Sequence, residues 1–209
     1  MQSILTVTTA ATDLLLLTDA ELRRATGVAS GQDAALLSLN KGIASAITSR
    51  CHVKAAGATA PTLRLEKLTQ VFRLDAPQEH LILARRPLVS ITSVVEDAVT
   101  VDADDYEMQS GPGFLLRLCN DYPAWWSACK ITVVYTAGWE TVPENLRQAA
   151  MKLAKVLWSE SQPGDPNAKR IVVPGVYEIE RWVPQGDDPL FSQEINELLR
   201  DYINPANRS

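Results

Sequence analysis

Residues 131–151 read ITVVYTAGWETVPENLRQAAM. A β-branched run, Ile131–Thr136, has the composition of a strand. It stops at Gly138, an aromatic residue follows at Trp139, and Thr141-Val142-Pro143-Glu144 has the Thr-x-x-Glu form of a helix capping box. Pro143 falls in the first turn, where a missing N–H costs little. Beyond it, Leu146, Ala150, Leu153 and Leu157 recur at helical spacing. Strand, reversal and helix therefore follow within a few residues. Gly138, Trp139, Thr141, Pro143 and Glu144 read as a structural joint, with Trp139 packing the corner.

Working outward from this joint, the upstream chain has period-2 patterning back to about Leu63. Gln70, Phe72 and Leu74 alternate with Thr69, Val71 and Arg73. Short runs recur at His80–Ala84, Leu88–Val95, Tyr106–Gln109, Phe114–Cys119 and Lys130–Thr136. Turn residues separate them at Asp75–Pro77, Asp102–Asp105, Gly111–Gly113 and Asn120–Pro123. Strands this short and close predict an antiparallel sheet and not βαβ crossovers. Before the strands, Thr18–Glu21 is a first capping box, opening a helix over about 19–26 that ends at Gly27. A second helix over about 30–50 carries Leu36, Leu39, Ile43 and Ile47 on one stripe. A third helix runs over about 142–160, and a short one over about 192–202. The predicted class is α+β: a small helical bundle with an inserted antiparallel β-sheet at about 63–137, and an extended C-terminal arm ending in a short helix. The predicted division is 1–161 and an arm at 162–209, whose removal from 163 onward is expected to leave a folded domain.

Composition narrows the function. The chain has 209 residues, 46% hydrophobic and 22% charged, with a net charge of −5. That balance opposes a broadly basic nucleic-acid binder. Three cysteines (Cys51, Cys119, Cys129) and two histidines (His52, His80) show no zinc or disulfide spacing. No cofactor is implied, and synthesis in a reducing cytosol is expected. The apolar run Leu14–Leu17 is too short for a membrane span and lacks the basic flank of a signal peptide.

Five stretches resemble sites. Cys51-His52 places a thiol beside an imidazole, but adjacent side chains point apart, and a catalytic pair must meet. Asp102, Asp104 and Asp105 resemble a metal loop by composition, without the glycine an EF-hand needs. Gly111-Pro112-Gly113 lacks phosphate-cradle spacing and reads as a turn. Arg85-Arg86-Pro87 is the densest basic step, a surface pair or a weak nucleic-acid contact. Trp125-Trp126 is more informative: neighbours on a strand face opposite ways, so one of them stays out of the core, at a surface or subunit contact.

In order along the chain, five pieces carry a family likeness. They are Ala35-Leu36-Leu37 with Ile43-Ala44-Ser45-Ala46-Ile47 and Ser49-Arg50; Arg85-Arg86-Pro87-Leu88-Val89-Ser90-Ile91-Thr92-Ser93-Val94; Asp105-Tyr106; Trp125-Trp126; and Val133–Trp139 with Val142-Pro143-Glu144-Asn145-Leu146-Arg147-Gln148-Ala149. Over roughly residues 14–161 the sequence resembles the head–tail connector (adaptor, head-completion) proteins of long-tailed bacteriophages and related prophages. One departure is Trp158-Ser159-Glu160-Ser161, where the family usually has Tyr-x-x-Arg.

The resemblance implies a structural virion protein and not an enzyme. Such adaptors form rings, generally dodecameric, beneath the portal and present a platform to the next neck or tail component. The implied partners are the portal protein, neighbouring copies of the chain, and a stopper or tail-completion protein. DNA would pass through the channel without specific recognition, and no membrane is involved. The implied location is the head–tail junction of the virion, after synthesis in the host bacterial cytoplasm. The alternatives are a stopper or tail terminator, which are usually more wholly β, and a small enzyme. Within the arm, Ile171, Val173, Tyr177, Trp182, Leu198 and Tyr202 are expected to contact the portal or a neighbouring subunit.

Overall fold

The structure is a computed structural model. It describes residues 2–161 and 190–204, together with the backbone of 170–173 and 177–180. Two compact units emerge. One comprises Met1–Leu14, Ser45–Pro143 and Tyr202–Ser209, and the other Leu15–Ala44 and Glu144–Asp201.

The first unit is built on strands β1 (Gln2–Thr9), β2 (Glu66–Arg73), β3 (His80–Ile82), β4 (Leu88–Glu96), β5 (Val99–Val101), β6 (Tyr106–Gln109), β7 (Phe114–Cys119), β8 (Tyr122–Ala124) and β9 (Lys130–Ala137). All their pairings are antiparallel. Five strands form one sheet in the order β1-β2-β9-β4-β5. In a second sheet, β7 pairs with β6 and with both β3 and β8. The alternation places Leu68, Gln70 and Phe72 of β2 and Ile131, Val133, Tyr135 and Ala137 of β9 on the buried face. With Leu81, Leu83, Val94, Leu115 and Trp126 they make one core. Burying each large side chain contributes roughly 1.5–3 kcal/mol.

Three strands of this unit, β1, β5 and β8, lie outside the predicted set. β1 pairs along β2 and forms a sheet edge. Only Leu5 of its eight residues is buried, so its sequence carries too little apolar alternation to mark it. β5 and β8 close two-residue hairpins whose central residues, Asp97-Ala98 and Asn120-Asp121, all have positive φ. Type I′ turns require this, and their twist matches the flanking strands. Segment 120–123, expected as a turn, thus divides into a tight turn and the start of β8.

The second unit contains α1 (Asp19–Thr26), α3 (Glu144–Ser161), α4 (Gln193–Leu199), the hairpin β10 (Arg170–Val173)–β11 (Tyr177–Glu180), and most of α2 (Asp33–Arg50). Thr18 caps α1 through a complete box: its hydroxyl accepts from the Glu21 N–H at 3.3 Å, and its own N–H donates to Glu21 Oε2 at 2.9 Å. Gly27 ends α1 at φ 75°, where glycine carries no Cβ penalty. α2 begins at Asp33 and not near Ser30, because Gly31 and Gln32 take left-handed conformations that no right-handed helix can include. α3 packs against α1 and α4. Leu146, Ala149, Ala150, Leu153 and Ala154 of α3 are buried, as are Ile195 and Leu199 of α4. Removing 163–209 would take away α4, which packs on α3. Among the described residues, no helix is long and apolar enough to cross a membrane.

Candidate functional site

At the joint, Gly138 sits at φ 104°, a conformation L-residues rarely adopt. Its N–H donates to Pro87 O at 2.9 Å. Trp139 N–H donates to Leu63 O at 2.9 Å, and Trp139 O accepts from Leu65 N–H at 3.1 Å. These bonds hold the end of β9 against the residues leading into β2. A Cβ on Gly138 would lie 2.3 Å from Arg64 O, so glycine is required on two counts.

Downstream, the expected Thr141/Glu144 box does not form. α3 starts at Glu144, directly after Pro143, so Thr141 lies outside the helix. The Glu144 carboxylate instead accepts from Arg147 and from Gln148 Nε2 at 3.4 Å. Those two side chains hold its pKa below the ordinary value. Pro143 ends the helix on its N-terminal side because it fixes φ and has no N–H to donate.

A buried polar cluster lies in the same unit. Glu66 and Arg85 are 1% and 4% exposed at the side chain, and the closest approach of the pair is 3.6 Å. Burial pushes the Glu66 carboxyl up, opposed by the Arg85 guanidinium and the Ala11 N–H. Gln70 Oε1 accepts from Ala84 N–H at 2.9 Å and from the Tyr135 hydroxyl at 3.1 Å. Burial also raises the Tyr135 pKa. Beside the cluster, residues 202–204 form a latch. Asn204 N–H donates to Cys51 O at 3.0 Å and Asn204 Nδ2 to Ala84 O at 3.3 Å. The Arg86 guanidinium donates to Ile203 O. The Tyr202 ring meets Trp139 edge-on, with centroids 6.0 Å apart.

Arg85-Arg86 is therefore no surface basic step: one guanidinium is buried against Glu66 and the other holds the latch. A signal for this existed in the sequence. The alternation that turns Leu68, Gln70 and Phe72 inward also turns Glu66 inward, and a buried carboxylate needs a cation.

The other resemblances have local explanations. Cys51 is buried, which pushes its thiol up to about 12 and disfavours its thiolate. His52 takes the left-handed conformation that ends α2. Its N–H reaches Ser49 O at 3.0 Å and Val53 N–H reaches Thr48 O at 3.3 Å, a Schellman arrangement. Asp102 precedes a single 3-10 turn, Ala103–Asp105. Gly113 lies at φ 77° and its carbonyl accepts from Leu83 N–H at 2.9 Å, so the Gly-Pro-Gly stretch is a turn between β6 and β7. Among the described residues, no group of three or more His, Cys, Asp or Glu side chains converges as metal ligands.

The arm residues are dispersed. Ile171 and Val173 lie on β10 and Tyr177 on β11, with Ile171 in register with Ile179 and Val173 with Tyr177. Trp182 lies outside the described residues. Leu198 is half-buried on α4, and Tyr202 is half-buried at the latch. Of the tryptophan pair, Trp126 is fully buried and donates Nε1–H to Leu115 O at 3.0 Å, whereas Trp125 is 63% exposed. Tyr122, on the neighbouring hairpin strand, is 75% exposed. Tyr and Trp are enriched at protein–protein interfaces relative to the rest of the surface.

No family model and no curated protein matches the sequence. Solved structures do share the fold. A chain from the virion of a native gene transfer agent (GTA) particle is 21% identical, over 81% of this chain and 89% of that chain, with a TM-score of 0.51. A chain from the neck of an empty GTA particle, computed with C6 symmetry, is 22% identical over 78% of this chain and 87% of its own, at 0.53. A third, from the neck of a native GTA particle computed with C12 symmetry, is 21% identical over 82% and 88%, at 0.50.

Proposed function

We propose that the chain is a structural subunit of a virion neck: a head–tail connector that assembles as a ring, dodecameric in the first instance, beneath the portal and around the DNA path. The observation that carries this reading is the shared fold with chains of a GTA virion and of GTA necks over about four-fifths of this sequence. The ordered adaptor-like motifs between residues 14 and 161 support it independently. A ring needs different surfaces of one subunit to meet head to tail and close. The exposed Trp125 and Tyr122 supply one candidate surface, and the arm a second. The buried Cys51 thiol and the structural use of Glu66, Arg85 and Tyr135 weigh toward a structural role and away from catalysis.

Residues 1–161 would act as the connector domain and 162–209 as the arm. Ile171, Val173, Tyr177 and Trp182 are assigned to portal or neighbour contact. Leu198 belongs to the same arm, and Tyr202 fastens its end. Self-association, portal docking and a stopper or tail-completion partner on the far side follow from this role.

Negative-stain imaging of the protein alone and mixed with its portal tests the reading. A discrete ring, or new density beneath the portal, is expected; a monomer that adds no density would sink it. Density added only on the far side of another neck ring would favour the stopper or tail-terminator alternative. For the arm, residues 165–188 are replaced by a short Gly/Ser linker, keeping α4 and the latch. Unchanged portal affinity would refute the arm assignment.

A further inference from the structure

Two oppositely charged surfaces occur on separate units. Between the end of α1 and the outer face of α3 lies an open groove of about 580 Å³, lined by Arg24, Gly27, Met151, Lys152, Lys155 and Trp158 among others. Its lining combines three cationic side chains with a thioether and an indole. Among the described residues, Arg24 and Lys155 form no ion pair. Lys152 pairs with Glu194 at 2.7 Å, but both side chains are substantially exposed, at 40% and 68%. So exposed a pair contributes little and yields readily to a better partner. The α1 C-terminus adds partial negative charge, which the unpaired Arg24 and Lys155 oppose.

The complementary surface is the β4–β5 hairpin and the turn after it. Residues 96–107 read EDAVTVDADDYE, six carboxylates without one basic residue. Glu96 is occupied by Arg117 at 3.2 Å and by the Ser127 N–H at 2.9 Å, and Asp105 approaches Arg117 at 3.7 Å. Among the described residues, Asp97, Asp102, Asp104 and Glu107 have no ion-pair partner. Val99, 68% exposed, projects from the strand that follows the Asp97-Ala98 turn. The hairpin thus offers an apolar side chain flanked in sequence by carboxylates, and the groove offers apolar side chains among cations.

We infer that the acidic β4–β5 hairpin of one copy seats in the α1/α3 groove of the next, with Val99 toward Met151 and Trp158 and the free aspartates toward Arg24 and Lys155. The contact joins different surfaces of the two copies, so it is heterologous and propagates around a ring. The inference rests on the ring reading and names one of its interfaces. Its occupant is a second copy; the competing occupant is the chain's own 162–189 segment, which carries Asp165, Asp187 and Asp188.

Charge reversal distinguishes these. One variant carries Arg24→Glu with Lys155→Glu, a second Asp102→Lys with Asp104→Lys, and a third all four changes. Asp102 makes no side-chain cap bond, so its replacement leaves the local fold intact. Sedimentation velocity on the full-length protein is expected to show self-association weakened roughly tenfold or more in each double variant. Association is restored in the quadruple variant and on mixing the two double variants, and wild-type association declines as salt rises. Unchanged association in the groove variant, or no rescue in the quadruple variant, overturns the inference. Rings that persist in both double variants remove this contact and leave the ring reading standing. A wild-type protein that stays monomeric and adds no density to the portal removes both.

Discussion

Replacing Gly138 by alanine probes the joint directly. The added Cβ would meet Arg64 O at 2.3 Å and Arg64 C at 2.8 Å, both backbone atoms that no rotamer change can move. Relieving the clash requires the two segments to part by at least about 0.7 Å, since real Cβ contacts essentially never fall below 3.0 Å. That displacement stretches the bonds from Trp139 N–H to Leu63 O, now 2.9 Å, and from Leu65 N–H to Trp139 O, now 3.1 Å, beyond useful length. Two lost backbone hydrogen bonds cost about 1 kcal/mol each. Holding alanine at φ 104° adds about 1–3 kcal/mol. The expected destabilisation is therefore about 3–5 kcal/mol, in the range of a severe core defect. The control is Gly42→Ala, inside α2 with nothing within 4 Å of the new methyl group. It is expected to stabilise by about 0.5–1 kcal/mol, the ordinary helix preference for alanine. Urea denaturation followed by tryptophan fluorescence reads both. A Gly138→Ala loss below about 1 kcal/mol would refute the steric reasoning.

The two Thr-x-x-Glu motifs should respond differently. Thr18→Ala loses a formed cap and about 1 kcal/mol, whereas Thr141→Ala changes stability by less than about 0.5 kcal/mol, both read from denaturant midpoints. Trp126→Ala empties a fully buried site and costs about 3–5 kcal/mol. Trp125→Ala leaves stability within about 0.5 kcal/mol and reduces ring formation, measured by sedimentation. Glu96 gives a pH signature. Burial opposes its ionisation, but the Ser127 N–H and Arg117 outweigh burial and set its pKa below the ordinary carboxylate value. A carboxyl with a lower pKa in the folded state stabilises above its unfolded pKa, and that stability is lost as pH falls through its folded pKa. Thermal melts of Glu96→Gln should accordingly show a shallower loss on acidification than wild type; parallel curves would contradict the assignment.

Much of the molecule follows from local rules. Alternation along Leu68–Leu74 marks β2 and its buried face, and the spacing of Leu146, Ala150 and Leu153 marks the inner stripe of α3. Pairwise opposition in a strand dictates that Trp125 and Trp126 part company. β1 escapes notice because it is an edge with a single buried residue, so little periodic signal is imprinted on it. The arm residues share no local pattern, and their placement on a hairpin, a helix and a latch comes from pairings between segments.

Sequence alone located most of the strands, helices and reversals, because periodicity and turn chemistry act over a few residues. It also determined that one indole of the Trp125–Trp126 pair stays outside. Tertiary structure decided which indole enters the core, why Gly138 admits no side chain, and that one Thr-x-x-Glu becomes a cap while its twin does not. It also turned Arg85 from an apparent surface charge into the buried partner of Glu66. Each of these depends on atoms supplied by a distant segment: Leu115 O for Trp126, Arg64 O for Gly138, Glu66 for Arg85. No local pattern encodes a distance between segments; only the packed chain sets it.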